Sequence, residues 1–150
     1  MHVLMIVVCA TIACVLIASW LKRRKENRDL ELHSITPEAL HTLLSDSNHE
    51  ILLFDVRRPL DLLTHLEAVP GSTWISPNEL LQNPSLIAKD KETVVYCTCP
   101  GDATSRSIVH KALRMRFSRI KLLKGGLAAW KAHGYSVVKY DKPFHLDTLT

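Results

Sequence analysis

The sequence has few aromatic residues, and its positive charge is modest. Only 6% of its 150 residues are Phe, Trp or Tyr, and the net charge is +4. No stretch interleaves aromatic and basic residues as nucleic-acid-binding surfaces do, so we expect no nucleic acid as a partner. The chain also has no internal repeat and no low-complexity segment, which excludes a repeat protein. Its length suffices for one domain with a hydrophobic core.

Cysteines are also few, and two of the four lie where chemistry is not expected. Cys9 and Cys14 belong to an uncharged apolar run, in which cysteine acts as a small apolar residue. The remaining pair, Cys97 and Cys99, is too small for a disulfide framework and indicates reactive or metal chemistry. Because no histidine lies at a metal-binding spacing from this pair, the sequence implies no metal and no organic cofactor.

Charge is absent from a long N-terminal run, Val3 to Leu21, which contains 19 residues. At a helical rise of about 1.5 Å per residue this run is roughly 28 Å long, close to the hydrocarbon thickness of a bilayer. A cleaved signal peptide would carry basic residues before the apolar run, whereas here Lys22-Arg23-Arg24-Lys25 follows it.

The position of these basic residues predicts the orientation of the run. Because positive charge favours the cytoplasmic side, we predict an inner-membrane or plasma-membrane protein with its C-terminal part in the cytoplasm. The expected organisation is a single-pass transmembrane anchor at 1–25, with lipid contacts over 3–25. A juxtamembrane linker at 26–34, a folded domain at 35–140 and a tail at 141–150 follow.

Short apolar runs alternate with helix-start signals in the predicted domain, which indicates an α/β fold with a parallel sheet. Thr36-Pro37-Glu38 is typical of a capped helix start. The predicted strands are 51–54, 74–75, 94–97, 120–123 and 137–138. The predicted helices or turns are 37–44, 59–66, 105–116 and 127–133, and 76–79 is a further capped helix start.

The segment after the third predicted strand is the strongest candidate for a site. A β-branched run ends in Cys97, Cys99 follows, and a turn then leads into an amphipathic helix. Backbone N–H groups of such a loop and the positive end of the helix stabilise a thiolate or a bound anion. Besides the two cysteines, the candidate substrate-binding residues are Thr98, Gly101, Asp102, Ala103, Thr104, Ser105 and Arg106.

A tyrosine-phosphatase loop is excluded by the spacing of the arginine. That chemistry needs Cys and Arg separated by five residues, so that Arg clamps the phosphate that Cys attacks. Arg106 lies seven residues after Cys99 and nine after Cys97.

Four short motifs, in this order and spacing, resemble those of rhodanese-like domains. They are DVRRP at 55–59, VPGS at 69–72, VVYC at 94–97 and GGLAAW at 125–130. The resemblance implies a small α/β domain with a mainly parallel five-stranded sheet flanked by helices. It also implies sulfurtransferase activity, in which sulfane sulfur moves from a small donor such as thiosulfate to a thiol or cyanide-like acceptor through a cysteine persulfide.

The same resemblance suggests roles for residues outside the loop. It places Asp55 and Arg57 beside the active loop, chiefly as a structural pair, with Arg57 a further candidate contact to an anionic substrate. Gly125 and Gly126 are expected to let the backbone approach the loop.

The active loop departs from the family pattern, so two cysteines compete for the role of sulfur carrier. Strand register selects Cys97, whereas the length of the loop up to Thr104 selects Cys99; we favour Cys97 slightly. Pro100 lacks an N–H group and removes one donor from the cradle. Asp102 adds a negative charge that disfavours a thiolate.

Two other functions remain compatible with the sequence. One is a non-catalytic rhodanese-like binding module tethered at the membrane, whose protein partner the sequence does not identify. The other is a thiol redox relay between Cys97 and Cys99.

Overall fold

The computed structural model describes residues 2–47 and 50–140, without the side chains of 2–4, 6 and 84. The chain divides into two compact units, Met1–His33 and Ser34–Thr150. The first unit is one helix, α1 (His2–Leu32). Most of the segment predicted as a linker at 26–34 is therefore helical. The tail predicted at 141–150 lies outside the described residues.

The length and hydropathy of α1 bear on the predicted anchor. Within the part of the chain that the structure describes, no helix is both long and apolar enough to cross a membrane. This finding gives no support to the anchor predicted at 1–25, which stays a prediction.

The second unit contains a five-stranded, wholly parallel sheet in the order β1-β6-β5-β2-β4. A separate antiparallel pair joins β3 and β7. The strands are β1 (Ser34–Ile35), β2 (Ile51–Asp55), β3 (Glu67–Ala68), β4 (Thr73–Trp74), β5 (Glu92–Tyr96), β6 (Ile120–Leu123) and β7 (Val138–Lys139). The predicted α/β class and parallel sheet are confirmed.

Within residues 34–47 and 50–140, five α-helices accompany the sheet: α2 (Pro37–Ser45), α3 (Pro59–Thr64), α4 (Pro77–Gln82), α5 (Ala103–Arg114) and α6 (Gly126–Ala132). The predicted start of α2 is confirmed, because the Thr36 hydroxyl accepts a hydrogen bond from the Ala39 N–H group at 3.3 Å. Proline occupies the first turn of α2, α3 and α4, where its missing N–H group costs nothing.

The hydrophobic core fixes the two central strands that carry the site. Leu53 of β2 and Val94 of β5 pack in one cluster with Leu40 of α2 and Trp130 of α6. Val95, the next residue of β5, is also fully buried. A strand that is buried on both faces is apolar at consecutive positions, as Val94 and Val95 are.

The pairing of β2 with β5 determines which residues meet beyond their ends. Asp55 lies opposite Tyr96 in register, and the Val56 N–H group donates to the Tyr96 carbonyl oxygen at 2.9 Å. The chain segments 56–58 and 97–99 therefore leave the sheet side by side. Ligands of open parallel sheets bind at this carboxyl edge.

Candidate active site

The loop that follows β5 turns sharply before α5 begins. Cys99 precedes a single 3-10 turn, Pro100–Asp102, in which the Asp102 N–H group donates to the Cys99 carbonyl oxygen at 3.1 Å. Gly101 and Asp102 both adopt left-handed backbone conformations, with φ of 63° and 54°. Glycine adopts this conformation without strain, and aspartate tolerates it better than most residues. The turn brings the Cys99 side chain back to the start of α5.

The Cys99 sulfur occupies the position of a helix-capping acceptor. The Thr104 N–H group donates to Cys99 Sγ at 3.4 Å, and the Thr104 hydroxyl lies 3.2 Å from the same sulfur. Asp102, which occupies the N-cap position, gives α5 no side-chain hydrogen bond. The sulfur therefore accepts a hydrogen bond from the Thr104 backbone amide at the positive end of the helix, where a thiolate is stabilised.

The two loop cysteines lie in contact, and they differ in exposure. Both are free thiols, with Cys97 Sγ 2.7 Å from Cys99 Sγ. Cys97 is 1% exposed, whereas Cys99 is partly exposed. A small molecule in solution can thus approach Cys99, but not Cys97.

The surroundings give the two thiols opposite acidities. Burial, together with the hydrogen bond to Cys99, raises the pKa of Cys97 to about 11. Burial also opposes ionisation of Cys99, but hydrogen bonds from the Cys97 thiol and from the Thr104 hydroxyl and amide outweigh it. These bonds hold the pKa of Cys99 below its ordinary value. Within this pair, Cys97 is therefore the hydrogen-bond donor, and Cys99 is the cysteine that ionises to the thiolate.

The Asp102 carboxylate makes a structural contact in the loop. It accepts a hydrogen bond from the Gly125 N–H group at 2.8 Å. Burial raises the pKa of Asp102 above its ordinary value, and the Gly125 amide and the charge of Arg106 offset only part of this rise. The carboxylate predicted to oppose a thiolate thus ties the loop to the turn before α6. Arg106, predicted to bind an anionic donor, lies near this carboxylate.

Gly126 allows the backbone of the α6 turn to touch the cysteine loop, as the sequence predicts. A Cβ atom at this position would lie 2.0 Å from the Cys97 carbonyl oxygen. The same oxygen accepts a hydrogen bond from the Leu127 N–H group at 3.2 Å. The turn at the start of α6 therefore holds the backbone of Cys97 in place.

Arg57 belongs to the frame of the site and does not line it. Its side chain is 0% exposed; its Nε donates to both Asp55 carboxylate oxygens at 2.9 Å. Its terminal nitrogens donate to the carbonyl oxygens of His65 and Glu67. The predicted structural pairing with Asp55 is confirmed. The predicted contact of Arg57 with an anionic substrate stays a prediction; in this structure the guanidinium is fully buried.

Arg58 is a cation near the two sulfurs that the sequence motifs did not identify. It is three residues beyond Asp55, as Cys99 is three residues beyond Tyr96, so the parallel register brings the two to the same edge. Its side chain is 67% exposed and pairs with Asp61, with Nε 3.0 Å from Oδ2. Asp61 and then the Cys99 and Cys97 sulfurs raise the pKa of Arg58. The register of β2 and β5 was the signal that could have identified it.

The other predicted loop residues surround the two sulfurs in different ways. Thr98 is half-buried, whereas Gly101 and Ala103 are exposed. Ser105 is fully buried, and its hydroxyl and backbone amide each act to lower the pKa of the neighbouring Cys97 thiol, which burial raises. Within residues 2–47 and 50–140, no cluster of three or more histidine, cysteine or acidic side chains forms that could hold a metal ion.

The structure thus defines a small α/β domain with a cysteine loop at the start of a helix, at the carboxyl edge of a parallel sheet. The model of the rhodanese-like domain family matches residues 36–133. The chain belongs to this family. A protein of Allochromatium vinosum named as a sulfurtransferase is 27% identical over 107 residues, which span 71% of this chain and 95% of that protein.

Solved structures share the fold. A rhodanese-related protein of Thermoplasma volcanium is 25% identical, with a TM-score of 0.57 over 71% of this chain and 97% of that one. A full-length protein of Lactobacillus plantarum has a TM-score of 0.66 at 17% identity, over 79% of this chain and 97% of that one.

Proposed function

We propose that the protein is a sulfurtransferase that carries sulfane sulfur as a persulfide on Cys99. The observation that carries this proposal is the position of Cys99 Sγ at the start of α5, where it accepts a hydrogen bond from the Thr104 amide and contacts the Cys97 sulfur. The similarity to a named sulfurtransferase supports it. The donor is a small anion such as thiosulfate, and the acceptor is a thiol or cyanide.

The chemistry has two half-reactions. The Cys99 thiolate attacks the outer sulfur of thiosulfate, the sulfur–sulfur bond breaks, and sulfite leaves with the electron pair. The acceptor then attacks the outer sulfur of the persulfide and releases the thiolate. Arg58 and the loop amides at 98–105 receive the anionic donor. Both steps need only a thiolate and an anion cradle, so we propose no metal or organic cofactor.

Cys97 is the weaker candidate for the sulfur carrier, although strand register favours it. Its sulfur is buried, and its pKa is raised to about 11, so it is protonated at neutral pH. A nucleophile that meets a dissolved donor must be both ionised and accessible. Cys99 meets both conditions.

The test is a cyanide-trapping assay with thiosulfate, carried out on the full chain in mild detergent. Because only Cys99 forms the persulfide, Cys99→Ser should lower thiocyanate production by at least about a thousandfold. Cys97→Ser should retain the rate within about tenfold, the effect of one pKa unit on the neighbouring thiolate. Loss in Cys97→Ser with retention in Cys99→Ser would reverse the assignment.

A second measurement in the same experiment locates the thiolate. The rate of Cys99 alkylation should rise with pH around a midpoint below the ordinary thiol pKa. Thr104→Val, which removes one hydroxyl donor and keeps the side-chain shape, should move this midpoint upward. If neither the unaltered chain nor any variant yields thiocyanate above background, the proposed sulfurtransferase activity is wrong.

We also propose that residues 3–25 anchor the domain in an inner or plasma membrane, with the domain on the cytoplasmic side. Large apolar side chains are exposed along α1 from Val7 to Leu21, and four basic residues follow. The full chain should stay in the membrane fraction after a carbonate wash. Ile12→Arg, which costs about 2.5–3.5 kcal/mol at a helix centre, should release it. Release of the unaltered chain would contradict the anchor.

A further inference from the structure

The proposed reaction leaves one nucleophile without a chemical role. Cys97 is excluded from solvent, yet its sulfur lies 2.7 Å from Cys99 Sγ. As a hydrogen-bond donor it stabilises the Cys99 thiolate, but a serine hydroxyl would also donate there. The contact between the two sulfurs suggests a second use of this thiol.

The side from which Cys97 approaches decides what it can attack. In a Cys99 persulfide, Cys99 Sγ is the inner sulfur and the transferred atom is the outer one. The outer sulfur extends toward the exposed side of Cys99, where the donor left it, whereas Cys97 Sγ already touches the inner atom. Attack on the inner sulfur expels the outer one, while attack on the outer sulfur would move it to Cys97.

We propose that Cys97 resolves the Cys99 persulfide within the chain, releasing sulfide and leaving a Cys97–Cys99 disulfide. This inference rests on the proposed function, since it needs the Cys99 persulfide as its substrate. It makes Cys97 a second catalytic residue, and it makes sulfide the product whenever no acceptor reaches the outer sulfur first.

The step balances without any further reactant. The Cys97 thiol loses its proton, its sulfur attacks Cys99 Sγ, and a Cys97–Cys99 bond forms as the persulfide bond breaks. The outer sulfur leaves with the electron pair and takes the proton, so sulfane sulfur is reduced to sulfide while the two cysteines are oxidised. A low-molecular-weight thiol then reopens the disulfide through a mixed disulfide, in two exchange steps.

Burial of Cys97 separates the two stages of this cycle. A donor in solution reaches Cys99 but not Cys97, so sulfur is loaded at one position only. The neighbouring thiol then acts on the loaded atom at contact distance, which replaces an encounter between molecules by a reaction within one.

The experiment follows sulfur on the full chain with Cys9 and Cys14 replaced by alanine, so that Cys97 and Cys99 are its only thiols. The reduced protein is treated with thiosulfate, freed of small molecules and kept without any added thiol. We expect a stoichiometric amount of sulfide and a chain lighter than the reduced one by two hydrogen atoms. Cys97→Ser should instead release no sulfide and stay heavier by one sulfur atom.

The outcomes separate this inference from the proposed function. If the protein that retains both Cys97 and Cys99 stays heavier by one sulfur atom and releases no sulfide, Cys97 does not resolve the persulfide and the inference is wrong. The inference is also wrong if Cys97→Ser releases sulfide as fast as the protein that retains both Cys97 and Cys99. If neither protein ever takes up sulfur, the proposed function itself fails. Cys97→Ala gives a second variant without the thiol, should Cys97→Ser fold poorly.

Discussion

Replacing Asp55 by Asn is expected to lower the free energy of unfolding by about 3–5 kcal/mol, because it leaves a buried guanidinium without its counter-charge. Arg57 is 0% exposed and Asp55 is 1% exposed. The Asp55 carboxylate also accepts hydrogen bonds from the Arg57 backbone N–H group and from the Tyr96 hydroxyl, both at 3.1 Å. An amide has one acceptor oxygen and cannot reproduce all these contacts. Urea unfolding, followed by circular dichroism, measures the loss.

The matched control is Asp61→Asn, which breaks the exposed pair between Asp61 and Arg58. The Arg58 side chain is 67% exposed, so solvent screens this pair, and its removal should cost less than about 1 kcal/mol. Equal losses in the two variants would contradict a special role for the buried pair. Both variants replace a carboxylate by an amide, and the two sites differ in burial and in the number of hydrogen bonds that the carboxylate accepts.

The buried pair matters for the site because it holds the ends of two strands together. The Tyr96 hydroxyl, at the end of β5, contacts the Asp55 carboxylate, accepts the Val69 N–H group and contacts the Ser72 hydroxyl. These bonds fix the point at which the segments that carry Arg58 and Cys99 leave the sheet side by side. The Arg58 charge therefore stays near the Cys99 sulfur.

Patterns of neighbouring residues predicted most of the regular elements. Thr36 and Pro37 specify a helix start through bonds within one turn, and β6 covers the predicted 120–123 as expected. β1 was missed because two residues carry no periodicity. The strand exists through its pairing with β6, far away in the chain, and through the Lys124 N–H group, which donates to the Ile35 carbonyl oxygen.

The directions of side chains in the site could not be predicted from sequence. Asp102 supplies a charge, but only the left-handed backbone at Gly101 and Asp102 turns its carboxylate toward Gly125. Arg57 and Arg58 are adjacent and chemically identical. One is buried and the other exposed, because the Asp55 carboxylate lies on the inner side. The choice between Cys97 and Cys99 likewise depends on burial and on the Thr104 contacts, which follow from the turn.

Replacing Gly126 by Ala is expected to lower the proposed sulfurtransferase activity by about a hundredfold, the usual effect of moving a reacting group by about 1 Å. The added Cβ atom would lie 2.0 Å from the Cys97 carbonyl oxygen and 3.3 Å from an Asp102 carboxylate oxygen. The first neighbour is backbone and cannot rotate away. The cysteine loop must shift, and the shift moves both sulfurs relative to the start of α5. The thiosulfate–cyanide assay measures the loss.

Gly134→Ala separates this effect from backbone strain. Gly134 has φ of +75° against +52° at Gly126, so alanine is strained at both positions. No heavy atom lies within 4 Å of a Cβ atom at Gly134, however, and this residue lies after α6, away from the cysteine loop. The control should lose about 1–2 kcal/mol of stability and keep its activity. If both variants keep their activity, the close approach of Gly126 to Cys97 does not position the sulfurs.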